Sequence, residues 1–309
     1  MDTTTNHFGA AVFWLYIVAA LAFTSIVIDT IVRLPAPSHA AFRKRHVAAF
    51  TILASVSFAT LSFNMLHILV QSYRTWAAPR ATAPLSIRTV REWSVTSTMF
   101  RDFGEAITED ETRYLWTQSA LLVTLASCLY MGSQGLRKRI PRLWAFFALS
   151  QILPISFAQN LFYLALLRSG PPSHAIGIPR TATTGLIAAY CICLVAAPYS
   201  RGSPYLIPII LFARLLLLLP LHLPFVDDEA RSAGDTFTPT RAQRIVASLS
   251  AVLVARQVYL IRQSGASLHD VFARALFGHP AVTTLGFDFF LSVVSSAVWN
   301  WTRPRDAGT

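Results

Sequence analysis

Charge is scarce in this chain, with Asp, Glu, Lys and Arg together making up 13% of 309 residues. A soluble domain of that size carries about twice as much, so scarcity of charge on its own excludes an ordinary soluble fold. Lysine is scarcer still. Lys44 and Lys138 are the only two, both in polar connections between apolar runs, so no lysine stands inside a run to hold retinal as a Schiff base. Cysteine is limited to Cys128, Cys191 and Cys193, all within apolar runs, which gives neither a disulfide framework nor zinc-ligand spacing. No Walker-type Gly-rich loop and no HExxH motif occurs, which removes nucleotide hydrolysis and zincin chemistry. Diphosphate ionisation needs two facing acid clusters to hold magnesium. Only one run, DDEAR at Asp227–Arg231, qualifies, so a magnesium-dependent prenyltransferase is disfavoured.

What is present is apolar. Hydrophobic residues make up 54% of the chain and mean hydropathy is +0.49. The expected fold class is an all-α integral membrane protein, a single domain over residues 1–309. A spanning helix needs roughly 20 apolar residues, and counting runs gives about eight: 8–32, 46–71, 115–132, 143–167, 181–198, 204–223, 245–261 and 281–301. The net charge of +11 sits between these runs as topology signals and lipid contacts do, with no basic stripe interleaved with aromatics, so nucleic acid is not an expected partner. The bilayer is. The dense positive connections, Arg43–Arg45 and Arg137–Arg142, fall on one side and are expected to face the cytosol. With eight spans, both termini are then expected in the lumen, in a membrane such as the endoplasmic reticulum.

Polar groups inside such runs are costly and need a partner or a function. Asn64 and His67 lie one turn apart in the second run, and Gln159 and Asn160 lie beside Pro154 in the fourth. Arg214 interrupts the sixth and Asp288 stands alone in the last. Arg214 and Arg256 are candidate partners for Asp288. The long connection 72–114 reads as a loop that turns acidic. Its end, MFRDFGEAITEDETRYLWTQ from Met99 to Gln118, holds five carboxylates and two arginines. As a helix, it would place Asp102, Glu105 and Glu109 on one face. That face reads either as a solvated segment answered by Arg101 and Arg113 or as a proton donor at a cavity mouth.

Isolated carboxylates, buried amides and 21 Phe, 7 Trp and 9 Tyr suit carbocation chemistry. A carboxyl kept in an apolar site can protonate an alkene or epoxide, and aromatic faces then stabilise the migrating charge without trapping it. A transporter could use the same inventory. Three stretches, DFGEAITEDETRYLWTQSALL, ILPISFAQNLFYLAL and LGFDFFLSVVSSAVW, resemble the membrane-bound terpene cyclases of fungal meroterpenoid pathways, the family of the ascofuranone and macrophorin cyclases. The resemblance implies cyclisation of a farnesyl chain on a polyketide-derived ring, begun by protonating an epoxide or terminal alkene. From the missing motifs, no cofactor is expected, and the sequence shows no sign of an obligatory protein partner.

It does not assign the acid. The chemistry of the sequence nominates Asp288 or Glu105 as donor, with Asp102 next at the cavity mouth. Gln118, Gln159 and Asn160 are candidates to orient the donor or ring oxygens, and Asn64 and His67 to line the site. Trp116, Phe162, Tyr163 and Trp299 are candidates for the cation-facing wall. A transporter coupled through Asp288 and Arg256, and a lipid-interacting scaffold, are the competing expectations.

Overall fold

The computed structural model describes residues 7–35, 40–79, 85–169, 176–222, 226–227 and 236–302, so most of the DDEAR run lies outside the described residues. Helices dominate: α1 His7–Arg33, α2 Ala40–Ala77, α3 Ile87–Thr96, α4 Met99–Ala106, α5 Glu111–Arg137, α6 Leu143–Ile152, α7 Ile155–Arg168, α8 Arg180–Tyr199, α9 Leu206–Leu216, α10 Pro239–Gln263 and α11 Pro280–Thr302. The all-α class holds, with one addition that hydropathy did not show. Strand β1 (Ile176–Pro179) pairs antiparallel with β2 (Val226–Asp227) on one side and β3 (Thr236–Phe237) on the other.

Among the described residues, six helices are long and apolar enough to cross a membrane: 10–33, 44–77, 111–137, 180–199, 239–263 and 280–302. Two of the eight expected runs are not single long helices. The sixth run shortens to α9, continued by a 3₁₀ turn at Leu219–Leu221. The fourth run is not one helix.

At its middle, Leu153 is extended (φ −105°, ψ 170°), as the residue before Pro154 must be to avoid the proline ring, and the chain reverses there. Helix α6 enters beside the C-terminal half of α1, where Arg142 pairs with Asp29 and Trp144 packs on Phe23, and it ends at Ile152 against Tyr16. Helix α7 then runs back, from Phe157 against Phe58 to Tyr163 against Phe50, and Arg168 reaches the carbonyl of Val32. The two form a re-entrant hairpin that starts and finishes at one end of the bundle.

This alters the expected sidedness. At one end lie the start of α1, the end of α2 and helix α3, tied through Phe13–Trp93 and Trp76–Thr96. At the other lie the end of α1, the start of α2 and the end of α11, tied through Phe50–Trp299 and Arg168–Val32. His7 and Thr302 therefore lie at opposite ends of the bundle. The physical reason is the hairpin, which doubles back where a single helix was expected to run the length of the bundle.

The segment 72–114, read as a loop, is mostly helix. Helix α2 continues to Ala77, Ser86 and Thr89 form a capping box that starts α3, and Asp110 caps α5 by accepting from the amides of Thr112 and Arg113. Trp93 donates to Ser72, and Tyr73 to Thr89. Helix α4 is laid on α9, where a Cβ on Gly104 would meet Ile207 and Ile210 at 3.5 Å.

Close approach also fixes α5 at its far end. A Cβ on Gly132 would stand 2.9 Å from the backbone oxygen of Pro220, in the 3₁₀ turn, and a backbone atom cannot step aside as a side-chain tip can. Gly132→Val is expected to cost about 1–3 kcal/mol by overpacking. A fall in the thermal midpoint of the detergent-solubilised protein checks it.

Candidate functional site: the hairpin tip and its surroundings

A helix break in the middle of an apolar bundle leaves backbone groups that water cannot reach, and each must find a partner. At the tip of the α6–α7 hairpin each half-helix finds one. The first amides of α7 donate to Asp288 of α11, Ile155 to Oδ2 at 3.1 Å and Ser156 to Oδ1 at 2.9 Å. The last carbonyls of α6 accept from Arg214 of α9, which reaches Gln151 at 3.3 Å, and from Tyr16 of α1, which reaches Ile152. An acid thus meets the positive end of α7 and a base the negative end of α6, the favourable arrangement for both dipoles. Arg214 and Asp288 are linked through the break. Arg256 is not part of it, since its guanidinium donates to Tyr199.

Asp288 is 8% exposed, and Ser292, one turn along the same face of α11, is fully buried. Asn160 donates to the carbonyl of Ser156, one turn into α7 from the Asp288 contact.

Further along the same faces lies an amide and aromatic network. Gln159 donates to the hydroxyls of Tyr163 and Ser296, both at 2.7 Å, and accepts from Ser127 at 3.4 Å. Tyr163 stacks on Trp299 with ring centroids 4.7 Å apart and planes 6° from parallel, and the Trp299 indole donates to Tyr130. Phe162 packs edge-on to Tyr130 and Phe146. Gln159, Phe162, Tyr163 and Trp299, nominated separately from sequence, are brought together here. Tyr130, Ser127 and Ser296 complete the group and were not nominated, since Ser and Tyr in apolar helices carry no distinguishing spacing.

The other nominees lie apart from it. Trp116 donates to the carbonyl of Val271 and packs against Phe272 and Phe290. Helix periodicity puts Gln118 on the opposite side of α5, with Tyr114 and Leu121, which bond to α8 through Leu194 and Tyr190. Its amide is fully buried with no hydrogen-bond partner among the described residues. Asn64 is buried and donates to the carbonyl of Thr60 within its own helix, while His67 is exposed. Asp102 accepts from Thr98, and Glu105 pairs with Arg101 at 2.8 Å, both at the outer surface of α4.

The acids just after them do line a cavity. An open cavity of about 610 Å³ lies where the approach to α5 meets the ends of α8 and α10 and the π-helical turn Asp270–Leu276. Glu109, Asp110, Glu111 and Asp270 contribute carboxylates, and Arg113, Arg201 and Arg274 contribute guanidinium groups. Most of these charges are answered locally: Glu109 by Arg113, Asp270 by Arg274 at 3.0 Å, and Glu111 by Gln257. Hydrogen bonds from Ser267 hold the Asp270 carboxyl below the usual carboxylate range.

Near this cavity, burial and then the charge of Arg113 hold His279 below the ordinary histidine range. Because the unfolded chain binds that proton more readily, stability is expected to fall as pH drops through about 6.5, where a free histidine titrates. His279→Gln should flatten that part of the profile of thermal midpoint against pH.

No protein family, no curated protein and no solved structure matches this chain.

Proposed function

We propose that this chain is an integral membrane terpene cyclase of the kind its sequence resembles, acting on a farnesylated, polyketide-derived substrate in the endoplasmic reticulum. The observation that carries this reading is the Asp288 contact. It joins two of the three resembling stretches, ILPISFAQNLFYLAL and LGFDFFLSVVSSAVW, at a buried acid in the middle of the bundle. The third stretch supplies the wall of the 610 Å³ cavity from Thr108 to Arg113.

In this reading a carboxyl proton goes to the epoxide oxygen or the terminal alkene carbon, and a tertiary cation forms. The C–O bond breaks in the epoxide case. The neighbouring alkene closes each ring by forming a C–C bond, and loss of a proton from carbon ends the cascade with mass unchanged. Asp288 is the first donor and Glu105 the alternative. Tyr163 and Trp299 offer π faces to the cation, each contributing about 0.5–2 kcal/mol. Membranes from a host expressing the chain, given a farnesylated phenol and its terminal epoxide, are expected to yield an isomer of unchanged mass and shifted retention. Membranes without it are expected to yield none.

One observation favours a second reading, a transporter. Broken helices whose ends meet charged groups at mid-depth recur in ion-coupled carriers, and the α6–α7 tip has that form. Proton-dependent flux in proteoliposomes, with no isomer formed, would select it.

Both readings share one membrane arrangement: the six long helices and α9 cross, and α6–α7 returns. An odd number of crossings puts the termini on opposite sides. Reporters fused at Met1 and Thr309 are expected to be accessible from opposite faces of sealed microsomes, and equal accessibility would refute the arrangement.

A further inference from the structure

The two ends of the bundle differ in charge. Around the cavity end, arginines alternate with acids in ion pairs such as Arg101–Glu105 and Arg113–Glu109. The opposite end is cationic where α1, α2, α6 and α7 converge. Arg33 closes α1, Lys44 and Arg45 stand near the start of α2, Arg142 precedes α6 and Arg168 closes α7. The acids among the described residues at that end are Asp29, already shared between Arg33 at 2.7 Å and Arg142 at 2.8 Å, and Asp227 of β2. Lys44 and Arg45 are exposed, and neither has an ion pair among the described residues.

Below these cations the surface is aliphatic. Ile28 and Val32 on α1 are 48% and 62% exposed, and Val47 and Ile52 on α2 are 37% and 62% exposed. Both helices lie against α7, which is buried along nearly its whole length and forms the floor between them. Cations at the rim with aliphatic walls beneath fit a molecule that carries an anion and hydrocarbon together. A free phosphate would use only the first.

The geometry points to a binding site for an anionic phospholipid at this corner, its headgroup phosphate held by Lys44 and Arg45 with Arg33 and Arg168 alongside, and its acyl chains laid on α1 and α2. The site is separate from Asp288 and from the cavity, and it rests on membrane insertion alone, whether the chain is a cyclase or a carrier. Charge of this sign beside a membrane surface attracts anionic lipid by about fivefold per Lys or Arg. The hairpin ends at this corner, so the lipid would also brace α6–α7 against α1.

The test is native mass spectrometry of the full-length protein released from nanodiscs of phosphatidylcholine mixed equally with phosphatidylserine or phosphatidylinositol. Retention of the anionic lipid over phosphatidylcholine is expected. Lys44→Gln with Arg45→Gln should reduce that preference about 25-fold, and the charge-keeping pair Lys44→Arg with Arg45→Lys should preserve it. Arg88→Gln with Arg91→Gln, at the cavity end, should leave it unchanged. Equal retention of both lipids by the wild-type protein would overturn the proposal. So would a Lys44→Gln, Arg45→Gln protein that keeps its preference. Retention of inorganic phosphate alone, with no lipid, would show an anion site of a different kind and overturn it as well.

Discussion

Asp288→Ala should leave the protein poorly folded or lower its thermal midpoint by more than Trp299→Ala or Gly132→Val does. Two buried amides, those of Ile155 and Ser156, lose their acceptor. An unanswered buried donor costs about 1–3 kcal/mol, so the pair costs about 2–6 kcal/mol, a large share of the roughly 5–15 kcal/mol that holds a domain together. Arg214 also loses the acid across the break. Asp288→Asn is the informative companion. It keeps one carbonyl oxygen as acceptor and turns an NH₂ toward the other amide, so about half the loss is expected and the fold should survive. If that protein is folded and makes no cyclic isomer while Glu105→Gln retains full turnover, Asp288 is the donor. If it turns over normally, the acid at the tip is architectural and donation falls to Glu105. An unchanged midpoint for Asp288→Ala would refute the account of the tip.

Trp299→Ala should produce the second-largest effect. The indole is 6% exposed, stacks on Tyr163 at 4.7 Å, meets Phe50 at 5.9 Å and donates to Tyr130. Truncation of a buried Trp costs about 3–5 kcal/mol, most of it cavity and lost packing, which persists even where lipid replaces water as the surroundings. Trp299→Phe keeps a ring against Tyr163 and loses only the N–H, for about 1 kcal/mol. Fluorescence-detected gel filtration after heating should order the three proteins as wild type, Phe and Ala. If Ala and Phe were equal, the hydrogen bond and not the stack would be the main contribution.

The apolar runs were legible because hydropathy reads burial directly, and the helices at α1, α2, α5, α8, α10 and α11 follow them within six residues at either end. The fourth run misled because hydropathy reports that a segment is shielded from water and says nothing of its direction. A reversal at mid-depth is tolerated when protein surrounds it, and α1, α2, α5 and α11 do so here. The signal available was Pro154 at the centre, since each half is shorter than the roughly 20 residues a crossing requires. Asp288 stood out in sequence as a lone acid. Its partners did not, because backbone amides belong to every residue and have no letter of their own. Glu105 and Asp102 had their local partners at helical spacing, Arg101 and Thr98, and these were readable. Gln118, nominated with Gln159 as a similar amide, lies across α5 from it. A two-residue offset from Trp116 turns a side chain by about 200° on a helix, which composition cannot register.

The order of synthesis gives the hairpin tip a timing problem. Helices α6 and α7 are made once α1, α2 and α5 exist, and Tyr16 is already there to receive the carbonyl of Ile152. The guanidinium that answers Gln151 arrives with α9, and the carboxyl that answers α7 arrives with α11, the last helix. Until then the amides at the start of α7 have no acceptor, so the nascent bundle is expected to keep that half-helix near water at the basic end. A chain stopped before Asp288 would remain in that waiting state. Its hairpin should be open to protease, whereas the finished protein closes it from the C-terminal side.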